Sequence, residues 1–159
     1  MNTKRDEILN RMKQDIIRSC DKRAVYIVEG APGAGKATYV QKQKQPGDMV
    51  VDLDLIAAAL QGDTISHPDY EPVMDAVLAV RDAIYNIIEK RQGKWKAAYI
   101  ITSNPNEDVV KKLATRLQGE IVSLDTCESV CIERIKQDIT RADKQRDIEL
   151  VNKWYTSRQ

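Results

Sequence analysis

Residues 25–36 read VYIVEGAPGAGK, and no other segment limits the fold so tightly. The apolar run that opens it is too short for a helix and lacks strict alternation, which is the pattern of a strand buried on both faces of a parallel sheet. The run breaks at Gly30, and Gly35 and Lys36 follow at the spacing G-x-x-x-x-G-K. A strand that turns through glycines into a helix aims successive backbone amides at one point, where the helix N-terminus and a lysine add positive potential. The segment therefore reads as a phosphate-binding loop, with Ala31, Pro32, Gly33, Ala34, Gly35, Lys36, Ala37 and Thr38 around a nucleoside triphosphate. The competing reading is a plain glycine turn beside a surface lysine.

Ala37 breaks the pattern. The residue after the lysine is ordinarily Ser or Thr, whose hydroxyl binds the magnesium that bridges the terminal phosphates. Thr38 is no simple substitute, because consecutive side chains at a helix start point about 100° apart. Its hydroxyl is better placed for an inner phosphate. Three explanations fit: metal held elsewhere through water, nucleotide binding without efficient turnover, or a position altered by design. The aspartates at 52 and 54 favour the first.

The rest of the chain alternates helix and strand. Ile8, Leu9, Met12, Ile16 and Ile17 form a stripe at helical spacing, predicting a helix over residues 1–20 that covers the core. A helix is expected over residues 38–45, then a strand MVVDLD that delivers Asp52 and Asp54 at its carboxyl end. Residues 61–70 carry Gly62 and Pro68 without periodicity and read as a mobile loop. Val73, Val77, Val80, Ile84 and Ile87 predict a long helix to about Arg91. A third strand, AAYIITS, is followed by a helix start with Asn104 as cap, and a fourth strand, EIVSLD, by one with capping-box spacing at Asp125 and Glu128. Residues 138–147 are a polar linker or a moving lid. Trp95 and Trp154 read as packing residues. Strands alternating with helices imply a mainly parallel sheet covered on both faces.

A chain of 159 residues fits one domain. Its net charge of +1 lacks the basic surplus that marks a nucleic-acid binder as a whole-chain property. Three cysteines, Cys20, Cys127 and Cys131, leave one over in any disulfide scheme, so reduced thiols in a cytoplasmic protein are expected. With the lone His67 they supply too few ligands for a metal site of their own. No run approaches the roughly 20 apolar residues that cross a bilayer, so no membrane partner is expected.

In this order of elements, with GAPGAGKAT, VVDLD, AYIIT and IVSLD at their places, the chain resembles the small P-loop kinases over residues 24–155. Most similar is the kinase fold of polynucleotide 5′-kinases and related phage-type and bacterial ATP-binding kinases. The resemblance implies a three-layer α/β/α P-loop NTPase of the kinase-like branch with strand order 2-3-1-4. It implies ATP, or GTP, with magnesium, and transfer of the γ-phosphate to a hydroxyl acceptor. In that family an aspartate after the second strand takes the acceptor's proton, and Asp54 stands there, with Asp52 on the same strand face for a metal-bound water. Arg134 matches an arginine near the adenine or phosphates, and Arg141 is placed to swing over the transferring group. Arg81, on the long helix, is either an acceptor-phosphate ligand or part of a solvated face.

Two departures bear on the acceptor. Ala57 stands where the polynucleotide kinases hold an acceptor phosphate with arginine, and the third strand ends in Thr102 and Ser103 where an acidic residue is common. A nucleic-acid end, a nucleoside and a small metabolite all remain candidates. Other classes are a nucleotide-binding module or switch without transferase activity, which Ala37 favours, and a motor ATPase subunit.

Overall fold

The computed structural model describes residues 3–64, 67–69 and 71–159. Four parallel strands, β1 (Val25–Glu29), β2 (Met49–Val51), β3 (Ala98–Thr102) and β4 (Glu120–Ser123), lie in the order β2-β3-β1-β4. This is the α/β fold and the 2-3-1-4 strand order expected. Among the described residues there are seven helices, of which α2 to α7 connect and cover the strands: α1 (Thr3–Cys20), α2 (Lys36–Gln43), α3 (Leu53–Gln61), α4 (Met74–Glu89), α5 (Glu107–Leu117), α6 (Glu128–Gln137) and α7 (Lys144–Ser157). A short 3-10 turn, Glu71–Val73, leads into α4.

Side chains that alternate along β1 feed two cores. Val25 and Ile27 join Ala98 and Ile100 of β3 under Ile88 of α4 and Val110, Ala114 and Leu117 of α5. Val28 and Tyr99 face the other way, onto Val40 of α2. Full burial of a side chain such as Ile27 or Leu117 contributes about 1.5–3 kcal/mol, so these layers hold the sheet flat against its helices. A third cluster joins Ala31 and Ala34 of the glycine-rich loop after β1 to Cys131 and Ile135 of α6 and Val151 and Trp154 of α7. Trp95 and Trp154 are buried, each with an arginine over its ring: Arg23 at 4.1 Å and Arg158 at 3.7 Å.

Several local expectations are corrected. Strand β2 stops at Val51, because the Asp52 carboxylate accepts the amide of Asp54 and caps α3; the two aspartates therefore do not share a strand face. The cap of α5 is Asn106, which accepts from the amides of Asp108 and Val109, while Asn104 accepts the amide of Asn106. Helix α6 starts after Cys127 with no side-chain cap, so Asp125 and Glu128 form no capping box. Helix α2 starts at Lys36, earlier than expected. The apolar stripe of α1 does not cover the core: Ile8, Leu9, Met12 and Ile16 are 54%, 45%, 56% and 61% exposed. The sheet faces are already closed by α2 on one side and by α4 and α5 on the other. The side chain of Ile17, and residues 65, 66 and 70 of the expected loop, lie outside the described residues. Among the described residues, no helix is long and apolar enough to cross a membrane.

Candidate active site

All four strands point the same way, so the segments after their carboxyl ends converge on one edge of the sheet, where ligands of open α/β folds bind. A cleft of about 1140 Å³ opens there. Pro32, Gly33, Gly35, Lys36, Ala37 and Thr38 form one wall, while Asp52, Asp54, Arg81, Arg134 and Arg141 reach it from α3, α4, α6 and the segment before α7. The structure thus gathers all the sequence-derived site residues except Ala31 and Ala34. Those two are 1% and 5% exposed and pack into the cluster beneath the loop. Their methyl groups therefore support the loop from beneath, and any contact with a ligand in the cleft falls to their main chain.

The loop is held from below. Gly33 has φ +79, and a Cβ there would come within 2.7 Å of the Cys131 carbonyl oxygen, so α6 can approach this closely only at glycine. The Thr126 hydroxyl donates to the Ala34 carbonyl at 3.0 Å, and Arg134 Nη1 donates to the Gly33 carbonyl at 3.1 Å. Gly35 is also left-handed and offers α2 no side-chain cap, which leaves the first turn of the helix without a side-chain acceptor on the cleft side. Lys36 Nζ donates to the carbonyls of Gly30 and Ala31, both at 2.8 Å. Its side chain is buried, and burial pushes its pKa down from 10.5 to about 8, against the opposing charge of Asp52. Ala37 and Thr38 are exposed at the start of α2.

Across the cleft the side chains hold one another. Asp54 Oδ2 lies 2.9 Å from His67 Nδ1, and His67 Nε2 lies 3.3 Å from Asp138 Oδ2. Arg141 joins Asp138 at 3.2 Å and Asp147 at 2.6 Å, with its side chain only 11% exposed. Arg141 therefore belongs to an ion-pair network between α6 and α7 and not to a solvated linker. Burial, and then the charge of Asp54, raise the Asp52 carboxyl above its ordinary value. Arg81 pairs with Asp82 at 2.7 Å and sits 5.6 Å from the Tyr85 ring, at the far side of the cleft. Among the described residues, no group of three or more His, Cys, Asp or Glu is placed to hold a metal ion.

Two features escaped the sequence reading. Glu29, directly before the loop, is buried at 4% exposure. It accepts from Ser123 Oγ at 2.6 Å and from Arg158 Nη1 and Nη2 at 2.9 and 2.7 Å, tying β1 to β4 and α7. Burial alone would raise its pKa, but the bonds from Arg158 and Ser123 outweigh it and hold the carboxyl below its ordinary value. A glutamate closing an apolar strand was the available signal; Arg158 carried none. The second is the role of His67, weighed above only as a lone metal ligand.

Neither a family model nor a curated protein matches the chain. Among solved structures, a chain of the Pnkp1/Rnl/Hen1 RNA repair complex is similar, with a TM-score of 0.60 and 16% identity. The match covers 85% of this chain and 45% of that one, so this chain spans less than half the length of its neighbour. At that identity the likeness speaks to fold alone, here an α/β architecture around a parallel sheet in the order β2-β3-β1-β4.

Proposed function

We propose that the protein is a phosphotransferase that uses ATP, or GTP, with magnesium and passes the γ-phosphate to a hydroxyl acceptor. The carrying observation is that Lys36 and the capless start of α2 share one cleft with Asp54. In this reading the acceptor oxygen attacks the γ-phosphorus, the bond to the β–γ bridging oxygen breaks, and the nucleoside diphosphate leaves. Asp54 takes the acceptor's proton, while Lys36 and the loop amides bind the β- and γ-phosphates. Arg134 sits against the loop at Gly33, where its planar donors suit charge spread over phosphate oxygens. Magnesium, when bound, neutralises charge between the terminal phosphates, and Asp52 and Asp54 would hold its waters.

The cleft also supports this reading by its size. Pockets for one small ligand run to roughly 300–1,000 Å³. At about 1140 Å³, this one is large enough for a nucleotide. The acceptor side holds Arg81 and Tyr85, which suit an anionic or ring-bearing partner. The neighbour's place in an RNA repair complex makes a nucleic-acid end one acceptor to test, beside nucleosides and small alcohols.

Ala37 favours a second reading, a nucleotide-binding module or switch with little transferase activity, because the loop lacks the usual magnesium ligand. One experiment separates the two: purified protein is mixed with γ-labelled ATP and a panel of oligonucleotides, nucleosides and alcohols. Label on any acceptor is expected. Tight nucleotide binding with no labelled product from the whole panel would favour the switch.

A further inference from the structure

We propose that His67 is a positioning residue for Asp54, tying the candidate base to the segment between α6 and α7. The inference rests on the reading of Asp54 as the group that takes the acceptor's proton. Asp54 sits in the first turn of α3, where its carboxylate rotates freely unless something outside the helix holds it. His67 does so from the loop that follows: Nδ1 is 2.9 Å from Asp54 Oδ2, while Nε2 is 3.3 Å from Asp138 Oδ2. Nδ1 is hydrogen-bonded to Asp54 and Nε2 lies beside Asp138, so a turned ring would present carbon to one of the two carboxylates.

The second anchor is itself fixed. Asp138 accepts from the Thr140 amide at 2.9 Å and hydroxyl at 2.6 Å through its other oxygen, and Arg141 pairs with it at 3.2 Å. The main chain repeats the connection, since residue 67 forms an isolated parallel bridge with residue 141. Thus the orientation of Asp54 is set by a strut that begins 13 residues away in sequence and ends on a different part of the fold. With Oδ2 engaged by His67, Oδ1 is the oxygen left to meet an acceptor in the cleft that Asp54 lines.

This arrangement separates His67 from a group that merely stabilises the fold. A base must be held within about 0.5 Å of its working geometry, and a misplacement of about 1 Å costs up to roughly 10²-fold in rate. His67→Ala should therefore slow single-turnover transfer by up to roughly 10²-fold while leaving nucleotide affinity and thermal midpoint near those of the parent. His67→Asn, whose amide can still donate near the Nδ1 position, should recover part of that rate. The double variant Asp54→Asn, His67→Ala should be no slower than Asp54→Asn alone, because the histidine acts through the aspartate. A His67→Ala protein at full rate would overturn the proposal, as would one whose nucleotide affinity and thermal midpoint fall together with no rescue by Asn.

Failure of the underlying reading looks different: Asp54→Asn would itself transfer phosphate at the parent rate. A readout independent of any acceptor is also at hand, because the chain has one histidine. In protein isotope-labelled at the imidazole nitrogens, Asp54→Asn should move the Nδ1 resonance and Asp138→Asn the Nε2 resonance. If neither moves, the strut does not exist in solution.

Discussion

At the glycine-rich loop after β1 the wall of the cleft is main chain: left-handed glycines at 33 and 35, carbonyls turned back onto Lys36, and two alanine methyl groups sunk into the core below. Across the cleft the wall is side chain, with Asp54, His67, Asp138, Arg141 and Asp147 positioned by one another and between 11% and 30% exposed. The first wall is shaped by packing that involves almost no chemistry-bearing group. The second has its chemistry and its support in the same few residues. Substitutions in the first wall should therefore act on binding, and those in the second on transfer.

The largest effect expected from this contrast is at Asp54. Asp54→Asn keeps the shape and the bond to His67 but loses the base, and transfer should fall by roughly 10²–10⁴-fold with nucleotide affinity nearly intact. Single-turnover kinetics and calorimetry on the same variant check it; a collapse of nucleotide affinity would mean the two walls are not separable. Next is Lys36→Ala, which removes the one charged side chain of the loop wall. Charge-assisted hydrogen bonds contribute about 1.5–3 kcal/mol, so affinity should weaken roughly 10- to 100-fold by calorimetry. Equal affinity would break the assignment of the loop.

A smaller effect follows from the depressed pKa of Lys36. Its value of about 8 in the nucleotide-free fold lies below the ordinary 10.5, so between these values the unfolded chain binds more protons and stability rises with pH. Polyphosphate favours the charged form, so binding above about pH 8 draws a proton onto the lysine. Affinity should then fall by up to about tenfold per pH unit, and Lys36→Ala should lose that slope. Proton uptake, read from the dependence of binding heat on buffer ionisation, checks the sign. The smallest effect is at the junction of the walls: Ala37→Ser should lower, by a few-fold, the magnesium needed for half-maximal nucleotide binding. An unchanged magnesium dependence would place position 37 outside the metal's reach.

The loop wall was legible in the sequence because its signals are local: an apolar strand, glycines at fixed spacing and a lysine at a helix start. The strand order came with the family resemblance and agrees with the sheet. Helix starts were harder. Asn104 and Asn106 are equally competent caps, and they act in relay, the first holding the second and the second holding α5. Asp52 looked like a strand residue until its carboxylate closed on the Asp54 amide. Periodicity identified the stripe on α1 but says nothing about what a stripe faces. The carboxylate wall was legible as a set of candidate residues and not as a network, since His67 finds one partner 13 residues back and another beyond three intervening helices.

The pairing of Glu29 with Arg158 has a consequence for how the chain is made. The two are 129 residues apart, and even Ser123, the other partner, lies 94 residues downstream of Glu29. At synthesis rates of about 5–20 residues per second, the carboxylate emerges on the order of ten seconds before its guanidinium. A buried charge without its partner costs several kcal/mol, so a nascent chain has every reason to leave that end of β1 open to water during the interval. The sheet can zip from the amino end of β1, where Val25 pairs with Ala98, while the end that carries the glycine-rich loop waits for α7 to be delivered. The carboxyl end of β1 is then completed later than its amino end, although the two are only four residues apart in the chain.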